Sequence, residues 1–371
     1  MRYYIIAGEA SGDLHGSALM KALRRLDPEA DFRFWGGDLM KEAGGELVRH
    51  IRDTSFMGFW EVAKNLPAVY ANIRYCKKDI DSYRPDALIL IDYPGFNLRM
   101  AGHGKRSGTK VFYYISPKVW AWNQSRVKTI SRYVDHMLTI FPFETDFYRR
   151  FGYHVDYVGN PLMDALENNA YREETFDEFI IRNNLPDKPV IAMLAGSRLQ
   201  EIERALPVMV SAIGNFPQYQ FVIAGAPSID PEIYRKYGAG SIPVLYNQTY
   251  AILRHTPAAM IVSGTATLEA GLLGVPMVVC YRGEHLSYQI ARRFIRVRYI
   301  SLVNLIMDRE VVKELIQDEF NRENLIRELD RILHEGSARS RLLDDLKELG
   351  RRVGPPGASE KAAEKIIGYL G

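Results

Sequence analysis

The sequence predicts an α/β protein built as two Rossmann-like halves that face each other across a cleft. Three observations lead there. Apolar runs of strand length recur in both halves, empty into small-residue turns, and alternate with apolar-faced helical stretches. A polar, acidic interval from Glu167 to Asp187 separates the two series. The chain has 371 residues, long for one domain and natural for two. The expected division is a first lobe over 1–165, a second over 166–350, and a final helix, 351–371, packing back on the first lobe.

In the first half, the buried-type strand Tyr3 to Ala7 meets a turn, Gly8-Glu-Ala-Ser-Gly-Asp-Leu-His-Gly16, before a helix over Ser17 to Leu26. The spacing GxxxGxxxG is neither the dinucleotide GxGxxG nor a P-loop, so nothing here requires NAD or ATP. The glycines would let the loop pack closely against a ligand, while Glu9, Ser11 and Asp13 place polar groups at a strand's carboxyl end, where open α/β sheets bind ligands. His15 reads more readily as a solvent-facing first-turn residue than as a catalytic one. A strand at Phe32 to Trp35 and a helix at Asp38 to Ala43 follow. The stretch from Thr54 to Lys78 then carries more large apolar side chains than one core stripe needs, Phe56, Met57, Phe59, Trp60 and Leu66 among them, with basic residues interspersed. That mixture suits a membrane interface or acyl chains as well as an amphipathic helix.

The all-apolar strand Ala87 to Ile91 ends in Asp92-Tyr-Pro-Gly-Phe-Asn97. A carboxylate on so rigid a support could take a proton from a substrate hydroxyl, and it would also serve as an ordinary turn-forming Asp. Strand Val111 to Ile115 leads to Ser116-Pro-Lys-Val-Trp-Ala-Trp122. There Trp120 and Trp122, with Lys118 and Arg126, would make a wall for a sugar or phosphate unless the tryptophans are buried. Strands at Met137 to Phe141 and Val155 to Pro161 complete this half.

The second half repeats the scheme. Strand Pro189 to Ala195 empties into Gly196-Ser197-Arg198, whose arginine could offer a diphosphate a bidentate partner. A helix to Phe216, a strand at Gln220 to Ala224, Val244 to Tyr246 before Asn247, and a helix at Tyr250 to Arg254 follow. The apolar run to Val262 then ends in Ser263-Gly264-Thr265-Ala266-Thr267, with a helix from Leu268. At such a turn the first helical amides lack intrahelical partners and sit at the positive end of the dipole, so a phosphate can take them. One turn on, Glu269 could accept from ribose hydroxyls; ordinary capping would use the same residues. Strand Met277 to Tyr281, an arginine-rich helix at 286–298, Ser301 to Leu305 with Asn304 as a phosphate donor, and helices to Leu349 come next. A Gly354-Pro-Pro-Gly357 break precedes the last helix.

Composition narrows the class. With 47% apolar and 25% charged residues this is ordinary globular composition. A formal charge of +3 gives no field for nucleic acid. Cys76 and Cys280 form no CxxC pair, so neither zinc nor a disulfide is expected, and a reducing cytoplasm fits. The amino terminus lacks a signal-peptide pattern, and no apolar stretch approaches the roughly 20 residues that span a bilayer, so any membrane contact is expected to be peripheral. The residues alone support a nucleotide-sugar glycosyltransferase, with an epimerase on the same architecture as the alternative and a two-lobed binding protein as a third class.

Six blocks resemble one family in the same order: Gly8-Glu-Ala-Ser-Gly-Asp13, Asp92-Tyr-Pro-Gly-Phe-Asn97, Ser116-Pro-Lys-Val-Trp-Ala-Trp122, Gly196-Ser-Arg198, Ser263-Gly-Thr-Ala-Thr-Leu-Glu269 and Ser301-Leu-Val-Asn-Leu305. The family is lipid-A-disaccharide synthase. The resemblance implies a GT-B fold and a reaction between UDP-2,3-diacylglucosamine and 2,3-diacylglucosamine 1-phosphate (lipid X), inverting the anomeric carbon to give a β-1,6 disaccharide and UDP. It implies no cofactor, the sugar nucleotide being a substrate, and no metal. Asp92 becomes the base for the acceptor 6-hydroxyl. Arg198, Ser197, Asn304 and the Ser263 to Thr267 turn would hold the diphosphate, and Glu269 the ribose. Glu9, Ser11, Asp13, Asn97, Trp120 and Trp122 would border the acceptor, and Phe56 to Leu66 would meet acyl chains at the cytoplasmic face of the inner membrane. The resemblance assigns no role to His15, Gly95 or Lys118. A second copy of the chain, as a homodimer, is a further candidate partner.

Overall fold

In the computed structural model, which describes residues 1–53, 66–284 and 297–371, the chain divides into two compact units. Unit one comprises Met1–Pro161 with Pro356–Gly371, and unit two comprises Leu162–Pro355.

Unit one holds a seven-stranded parallel sheet in the order β3-β2-β1-β4-β5-β6-β7. Its strands are β1 (Arg2–Ala7), β2 (Asp31–Gly36), β3 (Glu46–His50), β4 (Ala87–Ile91), β5 (Lys110–Tyr114), β6 (His136–Thr139) and β7 (Asp156–Tyr157). Between them run helices α1 (Ala10–Leu26), α2 (Asp38–Ala43), α3 (Leu66–Tyr83), α4 (Pro94–Arg106), α5 (Val127–Tyr133) and α6 (Pro142–Arg149). Every residue of β4 is fully buried, as Tyr3, Tyr4 and Ile5 of β1 are, which is what helices on both faces of a parallel sheet require. The tyrosines tolerate burial because their hydroxyls are paired: Tyr4 donates to Asp79 at 2.7 Å and accepts from the Trp35 indole at 2.9 Å.

Unit two holds a six-stranded parallel sheet in the order β10-β9-β8-β11-β12-β13. Its strands are β8 (Val190–Leu194), β9 (Gln220–Gly225), β10 (Val244–Tyr246), β11 (Ala258–Val262), β12 (Met277–Tyr281) and β13 (Lys313–Ile316). Helices α7 (Pro161–Glu167), which starts at the junction, α8 (Phe176–Arg182), α9 (Leu199–Ala212), α10 (Pro231–Tyr234), α11 (Thr249–Arg254), α12 (Thr265–Leu272), α13 (Leu302–Met307), α14 (Arg322–Leu333) and α15 (Ser337–Val353) accompany it. The last helix, α16 (Ala358–Leu370), belongs to unit one. There Tyr369 stacks on His136 at 3.6 Å and donates to Asp156 at 2.9 Å, while Lys365 pairs with the other Asp156 oxygen at 2.8 Å.

Three expectations are corrected. Helix α1 starts at Ala10, not Ser17, because Gly12 and Gly16 lie inside it on its packed face: an added carbon would sit 3.1 Å from the Ala7 side chain and 2.6 Å from the Met40 sulfur. These two glycines admit neighbouring elements, not a ligand. Strand β7 is only two residues long, since Gly159 has φ 95° and Pro161 opens a helix. Strands β3 and β13, at the sheet edges, were not expected.

Candidate active site

In each sheet the order reverses once, between β1 and β4 in unit one and between β8 and β11 in unit two. Open α/β sheets bind ligands outside the carboxyl ends of the strands at that reversal. Four of the sequence blocks fall on those four strand ends: Gly8-Glu9, Asp92, Gly196-Ser-Arg198 and Ser263-Gly264-Thr265.

In unit one, Asp92 leaves β4 in a left-handed conformation with φ 44°, and Tyr93 follows at φ 48°. The Asp92 carboxyl is pushed up to about 6, first by burial and then by the Glu9 carboxylate, against the opposing pull of the Lys118 ammonium and the Tyr93 amide. Glu9 and Ser11 are exposed at the start of α1. Near neutral pH Asp92 is therefore an ionised carboxylate that still holds a proton well, which is what a general base needs.

Other residues expected to border the acceptor turn inward. Asp13 is 5% exposed and accepts from the amides of Gly37, Leu39 and Met40 at 2.7, 3.1 and 3.0 Å, so it caps α2. Asn97 is fully buried and its amide donates to the carbonyls of Asp92, Ile91 and Ile6 at 2.9, 3.1 and 3.3 Å. Trp120 is buried too, its indole donating to Glu144 at 3.1 Å, so it is not a stacking wall. Trp122 is 53% exposed with the Arg126 guanidinium 5.3 Å from its ring centre, and it keeps an aromatic, cationic face. His15 has its imidazole lowered to about 4 by burial, and is neutral at physiological pH.

Sequence reasoning missed Glu144. Its carboxyl is fully buried and pushed up to about 8, although the amides of Ile140 and Phe141, at 3.2 and 3.0 Å, and the Trp120 indole favour the charged form. The available signal was a glutamate at the third position of a Pro-started helix, a place from which it reaches back to free amides.

In unit two, Arg198 is the residue before α9 and its side chain is 78% exposed. The Glu201 carboxylate accepts from the amides of Ser197 and Arg198 at 2.9 and 3.3 Å and pairs with the arginine at 3.5 Å. An exposed pair of this kind is weak, about 0.3–0.5 kcal/mol, so it leaves the guanidinium available to a stronger anion. At the second strand end, Ser263 donates its hydroxyl to the Ile300 carbonyl at 2.9 Å and Thr267 to the Gly264 carbonyl at 2.8 Å. Their hydroxyl protons are spent. The groups left to donate at this turn are the first-turn amides of α12, at Thr265 and Ala266, and the exposed Thr265 hydroxyl, and such amides can take an anion.

Glu269 lines a cavity of about 330 Å³ with Asn169, Tyr171, Asn247, Thr249 and Tyr250. Burial raises its carboxyl, and the Tyr250 hydroxyl donates to it at 3.2 Å. Asn169 and Tyr171 fall in the interval read as linker, and no local signal marked them.

Asn304 is corrected. It is fully buried, donates to the Val312 carbonyl and to Glu314, both at 2.9 Å, and accepts from the amides of Val311 and Val312 at 2.7 and 3.0 Å. All its hydrogen-bonding groups serve the fold. Phe56, Met57, Phe59, Trp60, the side chain of Leu66, and 285–296 of the arginine-rich stretch lie outside the described residues.

A family model described as lipid-A-disaccharide synthetase matches residues 3–355. The lipid-A-disaccharide synthase of Syntrophus aciditrophicus is 40% identical over 367 residues, covering 97% of this chain and 95% of that protein. That of Myxococcus xanthus is 39% identical over 377 residues, covering 100% and 97%. Among solved structures, an S. aureus MnaA–UDP co-structure aligns with TM-score 0.71 at 14% identity, covering 100% of this chain and 96% of that one. The calicheamicin glycosyltransferase CalG4 aligns with TM-score 0.61 at 15% identity, covering 100% and 98%. At such identities the likeness is one of fold, the two-lobed GT-B architecture.

Proposed function

The chain belongs to the lipid-A-disaccharide synthase family, and from that premise we propose how its two units divide one glycosyl transfer. The reaction joins UDP-2,3-diacylglucosamine to 2,3-diacylglucosamine 1-phosphate (lipid X), giving the β-1,6-linked disaccharide 1-phosphate and UDP. Asp92 takes the proton from the acceptor 6-hydroxyl as that oxygen attacks the donor's anomeric carbon. The bond from this carbon to the diphosphate breaks on the opposite face, its electron pair leaves with UDP, and the centre inverts. A single displacement needs one base and no enzyme nucleophile. Arg198 and the first-turn amides of α12 take up the charge that develops on UDP, as fixed donors that need no reorganisation. No cofactor enters this scheme.

Glu269, steadied by Tyr250, accepts from the ribose hydroxyls at the mouth of its cavity. The observation that carries the reading is the placement of Asp92 at the reversal of one sheet and of Arg198 and the α12 amides at the reversal of the other, in a chain of this family.

The apolar stretch 56–66 would meet acyl chains at the cytoplasmic face of the inner membrane. In support, α3 buries Ile73, Cys76 and Ile80 while leaving Tyr70 67% exposed among basic residues. Among the described residues no helix is long and apolar enough to cross a membrane, which fits peripheral attachment. The arginine-rich stretch would contact anionic lipid or a second copy of the chain; vesicle flotation and sedimentation separate these. An epimerase reading draws only on fold likeness. Incubating the protein with donor and acceptor, separately and together, tests the proposal. A tetra-acyl disaccharide monophosphate in the mass spectrum, with UDP release only when both are present, supports it. A new sugar isomer from the donor alone contradicts it.

A further inference from the structure

We infer that Asn97 positions the base: its carboxamide, with the Tyr113 hydroxyl, ties down the carbonyl of a doubly left-handed corner so that the Asp92 carboxylate stays projected from the end of β4. This rests on the reading of Asp92 as the base and deepens it.

Asp92 and Tyr93 are consecutive non-glycine residues at φ 44° and 48°. Residues with a Cβ disfavour this region, and it persists only where the surroundings over-determine it. Here they do. The Asp92 amide donates to the Tyr114 carbonyl at 3.2 Å, and the Asn97 amide donates to the Tyr93 carbonyl at 3.0 Å. The Asp92 carbonyl receives both the Asn97 side chain, at 2.9 Å, and the Tyr113 hydroxyl.

The same Asn97 nitrogen lies 3.1 Å from the Ile91 carbonyl and 3.3 Å from that of Ile6, so it joins the ends of β4 and β1 at the reversal of the sheet. Asn97 is fully buried, which leaves no route for water to replace it. Three carbonyls demand a neutral donor with two N–H groups, which asparagine supplies and aspartate does not. Asn97 touches no reacting atom in this scheme; it acts through Asp92.

Among the described residues the charged groups that act on Asp92 are Glu9, from the turn after β1, and Lys118, from the loop after β5; the neighbouring phenols of Tyr113 and Tyr93 are both raised, first by burial. Glu9 and Lys118 remain in the variants below, so a shift in pH profile reports the freed carboxylate.

The test compares full-length Asn97→Ser, Tyr113→Phe and Asp92→Asn in the dependence of kcat on pH and in KM for the UDP-sugar. Asn97→Ser should lose about tenfold or more in kcat with KM for the donor nearly unchanged, the signature of a lost transition-state interaction. The acid limb of its profile should move to lower pH as the carboxyl relaxes towards water. Tyr113→Phe, which keeps the ring and removes one hydrogen bond, should move both in the same direction by less, and carries the test if Asn97→Ser does not fold. Neither change should add to the loss in an Asp92→Asn background. An unmoved limb, or activity lost only in proportion to unfolded protein, overturns the inference while an inactive Asp92→Asn leaves the base assignment standing. An active Asp92→Asn overturns both.

Discussion

Tyr93 lays its ring across Gly8, so closely that a side-chain carbon at Gly8 would stand 2.3 Å from two ring atoms. The ring stacks in turn on Phe96 at 5.6 Å, and Phe96 packs on Trp35 at 5.3 Å. The turn after β1 and the turn after β4 are therefore one packed unit. Gly8→Ala must push Tyr93 off its seat and disturb the corner that carries Asp92. An overpacking cost of about 1–3 kcal/mol is expected, with a fall in kcat. Gly95→Ala is the control, since a carbon there meets nothing within 4 Å among the described residues; thermal unfolding and turnover should stay near wild type.

Asp92 titrates near 6, so kcat should fall on the acid side of about pH 6 as the base is protonated. Glu9 raises this carboxyl and Lys118 lowers it. Glu9→Gln should therefore move the limb to lower pH and Lys118→Met to higher pH. Folding follows the same sign. The folded protein binds this proton more tightly than the unfolded chain, whose value is 3.8, so the group's contribution to stability falls as pH rises from about 4 to about 6. Asp92→Asn should accordingly raise thermal stability at pH 7 and change it little at pH 4, a comparison that calorimetric scans at the two pH values make.

Among the described residues the Arg198 side chain makes one exposed pair, with Glu201 at 3.5 Å. Its removal should leave folding stability within about 0.5 kcal/mol. If it holds the departing diphosphate, Arg198→Ala should raise KM for the UDP-sugar and lower kcat together, with a combined loss on the order of a hundredfold. Steady-state kinetics at several donor concentrations read this, and an unchanged dependence on donor would remove the residue from the site.

Glu144 is a buried acid with no cation among its hydrogen-bond partners in the described residues, and its folded value of about 8 lies above the ordinary 4.5. Its contribution to stability therefore falls as pH rises between those values. Glu144→Gln keeps one acceptor for the two backbone amides but turns an N–H₂ group towards the Trp120 indole. It should cost about 1–3 kcal/mol at pH 5. The variant should also flatten the pH dependence, so that unfolding temperatures at pH 8 lie closer to wild type than at pH 5.

The strands at whose ends the candidate site lies were legible because β1, β4, β8 and β11 are largely unbroken apolar runs, and a run buried on both faces has one reading. Edge strands β3 and β13 were not, since Glu46-Leu-Val-Arg-His50 and Lys313-Glu-Leu-Ile316 mix charge with apolar residues as a half-covered edge allows. Among site residues the failures share one cause. Asp13, Asn97, Trp120 and Asn304 are polar or amphipathic groups beside ligand-type turns, and each finds a partner outside its own turn: Gly37, Ile6 and Glu144 far along the chain, and Val312 beyond the end of the Asn304 helix. A polar residue at a turn looks the same in sequence whether it faces a ligand or a distant backbone group. Arg198 and Trp122 differ in that their side chains stay exposed, with only the nearby Glu201 and Arg126 against them among the described residues.

The most direct measurement is turnover of Asp92→Asn beside its affinity for UDP. The account predicts that the variant binds UDP as the wild type does and loses roughly a hundredfold to ten-thousandfold in kcat, the contribution of one general base. Turnover near the wild-type rate, with disaccharide still accumulating, would contradict it.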